Sequence, residues 1–213
     1  MIMKKAKTKM NLVYENLKKE IIEGKLKPEE RLIIAHISER FNVSSIPVRE
    51  AFQILASEGF IEILPHAGAI VKTMSLKDIK EIFEIRFNLE VLAAQLAVAN
   101  MSNSNLSDLE EIIEKSKQAF DPLTYDRSNR EFHQFIYSFA NNQRLYNIID
   151  ELWNNSSRYP RVFQSNEDLS LSISEHTEIL EALKARDVLL VKELMEKHKT
   201  RGFEKIYELV SKK

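Results

Sequence analysis

Residues 43–52 have the sequence VSSIPVREAF, a turn followed by the start of a helix. Pro47 fits the first turn of that helix, because its missing amide hydrogen costs nothing there. Apolar residues recur at helical spacing and predict one buried face, made of Val48, Ala51, Phe52 and Leu55. Ser44, Ser45 and Arg49 fall outside that face, so we expect them to point to solvent.

A helix precedes this segment and a hairpin follows it. Ile34, Ile37 and Phe41 are spaced three and four residues apart, which predicts a helix that ends before the turn. Two short β-type runs, residues 60–64 and 69–72, flank a Pro-His-Ala-Gly turn and predict a hairpin. This order is typical of a winged helix-turn-helix, which places its second helix in the major groove of DNA.

The hairpin tip and the charge balance agree with DNA as a partner. His66 and Gly68 are the candidate wing contacts, since a glycine allows close approach to a backbone. Residues 1–75 carry 12 Lys and Arg against 9 Asp and Glu, or +3, and the rest of the chain carries 19 against 23, or −4. The basic surplus therefore lies in the part that is predicted to bind DNA.

The N-terminal part resembles the GntR family of bacterial transcription regulators over residues 11–74. The matching motifs are Ile22-x-Gly24-x-Leu26-x-Pro28, Arg31-Leu32, Val43-Ser44-x-x-Pro47-Val48-Arg49-Glu50-Ala51, Leu55-x-x-Glu58-Gly59 and Pro65-x-x-Gly68-x-x-Val71. The resemblance implies that Arg49 contacts DNA and that Arg31 contacts its backbone. Glu29 stands where the family usually has Gly, and Ser45 where it usually has Arg, which removes an expected DNA contact. The alternative for Arg49 is a solvated charge paired with an acidic neighbour.

From residue 75 onward the pattern predicts helices alone. The first runs to about residue 100, and others are expected at about 105–119, 124–140, 143–158, 170–185 and 187–211. With only four Gly in the chain and no strand pattern past residue 74, this part is predicted to be a helical bundle. The expected fold is therefore mainly α, with a winged helix-turn-helix domain at 1–74 and an all-α bundle at 75–213.

Three of the five histidines are spaced as metal ligands. His133 follows Asn129 by four residues, so both lie on one helical face. If the last two helices form an antiparallel pair joined at 185–187, His176 and His198 lie level within one helical turn. With Asn129 adding an oxygen, this donor set suits zinc, nickel or another divalent first-row metal. Any one of these histidines alone is more often an ordinary core or surface residue.

The second part resembles the FCD effector-binding domain of FadR-type GntR regulators. The matching motifs are Arg86-x-x-x-Glu90, Asn129-x-x-Phe132-His133, Glu175-His176-x-x-Ile179-x-x-Ala182-x-x-x-x-Asp187 and Met195-x-x-His198. The resemblance implies a metal held by the three histidines, with Asn129 as an orienting residue or a weak fourth ligand where the family often has Asp. It also implies a small carboxylate on the metal, with Arg86 as its second anchor. The alternative for Arg86 is an intrahelical pair with Glu90.

These features together predict a homodimer that binds a palindromic double-stranded DNA operator and changes its DNA affinity when a small organic acid binds. Two alternatives are a metal that only staples the bundle and a metal-dependent hydrolase. Against the hydrolase, the sequence has no His-Glu-x-x-His motif, nucleophile elbow or glycine-rich phosphate loop, and Glu175 is expected about 100° away from His176 on its helix.

Composition excludes several classes of protein and of binding site. The absence of Cys excludes a disulfide scaffold and thiolate metal sites. No apolar run approaches the roughly 20 residues that span a bilayer, and the lysine-rich start has no apolar signal-peptide core after it. We therefore expect a cytoplasmic protein without a membrane partner.

Overall fold

The computed structural model describes residues 8–65, 67–73, 75–118, 122–156 and 165–211. The chain divides into two compact units, Met1–Ser75 and Leu76–Lys213. The predicted fold class is confirmed, because the described residues are mainly helical and the small sheet lies in the first unit. Across these described ranges, no helix is long and apolar enough to cross a membrane.

The first unit combines helices with a small antiparallel sheet. Its described elements are α1 (Lys9–Ile22), β1 (Arg31–Leu32), α2 (Ile34–Phe41), α3 (Ser45–Ser57), β2 (Ile61–Leu64) and β3 (Gly68–Val71). The strand order is β1-β3-β2, and Ile70 of β3 lies opposite both Arg31 and Glu62. The sequence pattern predicts the hairpin but not β1, since two residues are too few to show an alternation.

Helices α2 and α3 form the helix-turn-helix. Helix α2 ends at Asn42 with φ 50°, a left-handed conformation that Asn tolerates better than most residues. Ser44 then precedes α3 in an extended conformation. The predicted buried face of α3 is confirmed, and it joins side chains of α1 and the sheet in one core, which includes Val13, Leu17, Leu32, Val48, Ala51, Phe52, Leu55, Phe60 and Val71.

Gly68 is required by the packing of the wing itself. It opens β3 with φ 96°, a conformation that L side chains rarely adopt. A Cβ at this position would also collide with the carbonyl oxygen of Leu32 in β1. The fold therefore explains this glycine through the β1–β3 contact, while the contact of Gly68 with DNA stays a prediction.

Glu29 is strained in a way that a substitution can relieve. Its φ is 68°, and its amide donates a hydrogen bond to the carbonyl of Val71 at 2.8 Å, which ties it to β3. We expect Glu29→Gly to raise the free energy of unfolding by about 1 kcal/mol. Glycine removes a left-handed penalty of about 1–2 kcal/mol, partly offset by the greater entropy of the unfolded chain.

Urea-induced unfolding of the full chain, followed by circular dichroism, measures this effect. The matched control is Glu30→Gly, one residue further on, where φ is not positive. That change should lower the stability, because it adds unfolded-state entropy and removes the hydrogen bond that the Glu30 carboxylate accepts from the amide of Lys27. Equal effects of the two substitutions would contradict the argument.

The second unit is a helical bundle. Its described elements are α4 (Leu76–Ala97), α5 (Asn103–Ser116), α6 (Pro122–Ser138), α7 (Gln143–Ser156), α8 (Asn166–Lys184) and α9 (Val188–Ser211). Helix α8 begins about four residues before its predicted start. The reason is Ser165, whose side chain accepts a hydrogen bond from the amide of Asp168 and donates one to its carboxylate. Ser165 and Asp168 therefore cap the N-terminus of the helix.

Packing in this unit converges on one interior. Helix α4 lies against α6, α7 and α9, helix α5 against α6 and α8, and α8 against α9. Asp187 caps α9, since its Oδ1 accepts from the amides of Leu189 and Leu190. The resulting core is largely apolar, and most of its buried polar side chains lie where faces of α6, α8 and α9 meet.

Candidate functional site

Three histidines from three helices meet inside the second unit. His133 lies on α6, His176 on α8 and His198 on α9, with 0%, 1% and 6% of their surface exposed. One ring nitrogen of each lies within 4.8 Å of those of the other two. The Nε2 atoms of His133 and His198 are 3.1 Å apart. The structure thus brings together the three histidines that the sequence singles out.

The hydrogen-bond partners of His133 and His198 favour a proton on Nδ1 of each ring. Nδ1 of His198 lies 2.6 Å from Oε2 of Glu175, and it donates, because a carboxylate only accepts. The Tyr137 hydroxyl donates to Oε2 of Glu90 at 2.7 Å, so its oxygen can accept from Nδ1 of His133 at 3.3 Å. Burial lowers the pKa of both imidazoles and favours their neutral forms. With Nδ1 protonated, Nε2 of each ring can bind a cation.

Two more buried polar atoms at this place have no hydrogen-bond partner among the described residues. They are Nε2 of His176 and Oδ1 of Asn129, one helical turn before His133. The ring of Phe132 stacks on the imidazole of His176 with 3.9 Å between centroids, which holds that ring in place. Buried polar atoms without partners are rare, and such atoms call for an ion or water. Three neutral imidazoles and an amide oxygen fit a divalent first-row cation.

Glu175 is a site residue that the sequence analysis missed. Arg201 donates to both of its oxygens, from Nε to Oε1 at 2.7 Å and from Nη2 to Oε2 at 2.6 Å. Burial raises the pKa of Glu175, but the hydrogen bonds from His198 and Arg201 outweigh it and lower the pKa to about 2. The expected angle of about 100° between Glu175 and His176 on α8 did not reveal the contact with His198, because His198 lies on α9. With both oxygens engaged, Glu175 orients the imidazole of His198.

A second buried carboxylate, Glu90 on α4, is linked to His133 through the hydroxyl of Tyr137. It accepts from Nε of Arg86 at 2.8 Å and pairs with Nζ of Lys199 at 2.6 Å. Burial raises the pKa of Glu90, but the charges of Arg86 and Lys199 outweigh this effect and lower the pKa to about 2. Burial lowers the pKa of Lys199 to about 8. The expected alternative for Arg86, a pair with Glu90, is thus present. Its role as an anion anchor stays a prediction.

Cationic side chains lie close to the histidines among the described residues. Trp153 on α7 has its ring 6.0 Å from that of His133. Cζ of Arg86 lies 4.3 Å and Nζ of Lys199 5.2 Å from the centroid of Trp153, within the range of cation–π attraction. Cationic groups beside a buried site are suited to an anionic ligand.

Some of the missed residues carried a signal in the sequence. Tyr137 lies four residues after His133, and Arg201 three after His198, so helical spacing places each on the face of its histidine. Lys199 follows a histidine directly and gave no such signal. Its contact with Glu90 depends on how α9 packs against α4.

The candidate DNA contacts lie on the outer surface of the first unit. Ser44, Ser45 and Arg49 are exposed at the start of α3, and Arg31 is exposed in β1. His66, the predicted contact at the wing tip, lies outside the described residues. The contacts of these side chains with DNA remain predictions.

Comparison with known proteins agrees with both parts of the structure. The model of bacterial regulatory proteins of the gntR family matches residues 9–71, and that of the FCD domain matches residues 81–201. The transcriptional regulator McbR of Escherichia coli (strain K12) is 33% identical over 183 residues, or 82% of each chain. YdhC of Bacillus subtilis (strain 168), also described as a transcriptional regulator, is 30% identical over 180 residues, covering 82% of this chain and 80% of its own.

A solved structure of E. coli McbR/YncC has the same fold, with a TM-score of 0.79 and 28% identity over 95% of this chain and 99% of that one. The relatives are transcription regulators, which confirms the prediction of a regulator over that of a hydrolase. The winged helix-turn-helix, the helical bundle and these matches together identify the chain as a member of the GntR family with an FCD domain, a DNA-binding transcription regulator.

Proposed function

We propose that this regulator senses a small organic acid at a divalent metal ion in its helical unit. The observation that carries the proposal is the meeting of three buried histidines, with Nε2 of His133 3.1 Å from Nε2 of His198 and a ring nitrogen of His176 within 4.8 Å of both. Ring nitrogens at these distances can share one cation. His133, His176 and His198 hold the ion, zinc or nickel, and Asn129 adds a weak fourth ligand. The bound ion supplies positive charge and open positions for a carboxylate oxygen.

Charge supports an acid as the effector. Arg86 and Lys199 both pair with the carboxylate of Glu90, which brings two cationic groups close to the histidines. Arg86 is the second anchor of the acid, since a guanidinium fork matches the geometry of a carboxylate. A metal that served only to staple the bundle would not need these cationic groups.

DNA binding uses the outward side of the first unit, at Arg31, Ser44, Ser45 and Arg49, with His66 and Gly68 at the wing. A homodimer presents two such units to the halves of a palindromic operator. Binding of the acid changes the relative population of two arrangements of the dimer, and operator affinity changes with it.

Exposed apolar side chains in the helical unit support the homodimer. Ile148 on α7 is 48% exposed, and Ile85, Leu92 and Leu96 are exposed on α4, against which α7 packs. Arg144 lies four residues before Ile148 and Glu151 three after it, both exposed. If two copies pack antiparallel about Ile148, each Arg144 lies opposite Glu151 of the second copy, so the charges are self-complementary.

We expect Ile148→Glu to convert the dimer to a monomer at micromolar concentration, because it brings two carboxylates together at the symmetry axis. Light scattering would then give the mass of one 24.8 kDa chain. Leu189→Glu, at an exposed leucine on α9, is the matched control and should leave a dimer. If the Ile148→Glu variant remains a dimer, the interface lies elsewhere.

The effector proposal is tested by melting temperature and operator affinity together. Purified full-length protein is measured after chelation and after reloading with Zn²⁺ or Ni²⁺, across a panel of mono- and dicarboxylates. A subset of acids should stabilise only the metal-loaded form and change its DNA affinity. His176→Ala should abolish this response, whereas Thr177→Ala, at its exposed neighbour, should keep it. If chelation destabilises the protein but no acid has an effect, the metal is structural and the effector proposal fails.

A further inference from the structure

Ile46 is the most exposed large apolar side chain in the described part of the first unit. It is 65% exposed, against 37% to 41% for Leu12, Ile33 and Ile63. A single exposed apolar residue is ordinary on a protein surface. The place of Ile46 is not ordinary, because it is the second residue of α3, the helix that a helix-turn-helix presents to the major groove.

The direction of Ile46 follows from the buried face of α3. At about 100° per residue, Ile46 lies nearly opposite the centre of that face. Arg49, Glu50 and Gln53 follow it by three, four and seven residues, so they share the outward side, and all are exposed. Ile46 is thus the apolar member of an otherwise polar stripe. It lies at the N-terminal end, from which recognition helices contact base edges.

An apolar side chain at this place has one kind of partner in DNA. The C5-methyl group of thymine is the apolar group that base edges present in the major groove. The neighbouring hydroxyls of Ser44 and Ser45 can both donate and accept, so they discriminate weakly between base pairs. We propose that Ile46 packs on a thymine methyl and thereby selects an A·T pair at one position in each half of the operator. This inference rests on the proposed use of α3 as the reading helix.

The test isolates the methyl group. An operator is selected from random double-stranded DNA with the full-length protein, and each thymine is then replaced by deoxyuridine, which lacks only the methyl. At one position per half-site, the replacement should weaken wild-type binding about fourfold. Ile46→Ala should bind the two operators equally. The matched control Leu12→Ala, at an exposed leucine on α1, should keep the full wild-type preference.

Two results would overturn the inference: no thymine whose replacement affects the wild type, or full discrimination retained by Ile46→Ala. The variant Arg49→Ala shows whether such a result rules out only the role of Ile46 or also the use of α3 as the reading helix. If Arg49→Ala weakens operator binding about tenfold while discrimination is independent of Ile46, only the role of Ile46 is lost. If neither substitution on α3 changes operator affinity, the use of α3 fails as well.

Discussion

His133→Ala is expected to weaken Zn²⁺ binding to the full chain by at least about 100-fold, as measured by competition with a chromophoric chelator. Loss of a group that only orients a ligand weakens binding by about 10- to 100-fold, and this change removes one of three ring nitrogens outright. Chelation should lower the melting temperature of the wild type by about 10 °C, since an ion at 1,000 times its Kd adds about 4 kcal/mol. The variant should not respond to chelation.

The Zn²⁺ affinities of two further variants provide comparisons for His133→Ala. His36→Ala removes an exposed histidine on α2 and should bind Zn²⁺ as the wild type does. Glu175→Gln keeps the shape of the side chain but loses the charge that orients His198, so an intermediate loss is expected. Equal Zn²⁺ affinity of wild type and His133→Ala would show that the histidine cluster is not the metal site.

Glu90→Gln is expected to lower the free energy of unfolding by about 3–5 kcal/mol, the range found when one partner of a buried ion pair is removed. Glu90 is 1% exposed and is paired with both Arg86 and Lys199. An amide of the same shape removes the carboxylate that pairs with Lys199 inside the bundle and weakens the contact with Arg86. Urea-induced unfolding with a chelator present measures the change without any contribution from metal.

The matched control for Glu90 is Glu84→Gln on the same helix. Glu84 is exposed and lies 3.8 Å from Nζ of Lys80, so its replacement should change stability by less than about 0.5 kcal/mol. A similar effect of both substitutions would contradict the argument from burial.

The dependence on pH gives a second readout for Glu90. Its pKa in the folded protein, about 2, lies below the ordinary value of 4.5. A lowered pKa stabilises the folded state above the ordinary value, and this stabilisation is lost as the pH falls toward the folded-state pKa. The difference between wild type and Glu90→Gln should therefore shrink from about pH 5 to pH 3. A constant difference over this range would rule out the ionised carboxylate as its source.

The winged helix-turn-helix could be predicted closely because its signals are local. The turn at 42–44, the position of Pro47 and the apolar stripe that begins at Val48 all act within a few residues. Strand β1 was not predictable in this way, since its two residues form a strand only by pairing with β3, about forty positions further along the chain. The same contact explains the requirement for glycine at position 68.

In the helical unit, the sequence by itself determined where the helices lie along the chain and singled out the three histidines. It also placed His176 and His198 at the same level, because the helical rise and the 185–187 turn set their distances from that turn. It could not determine the partners of those histidines. Glu175 reaches His198, and Glu90 reaches Lys199, across helices whose facing sides depend on how the bundle packs. Periodicity fixes which face a side chain occupies on its own helix. The hydrogen bonds and charges around that side chain also depend on which faces of the other helices pack against it. Only the tertiary structure therefore decided that the three histidines meet beside two buried carboxylates, Glu90 and Glu175.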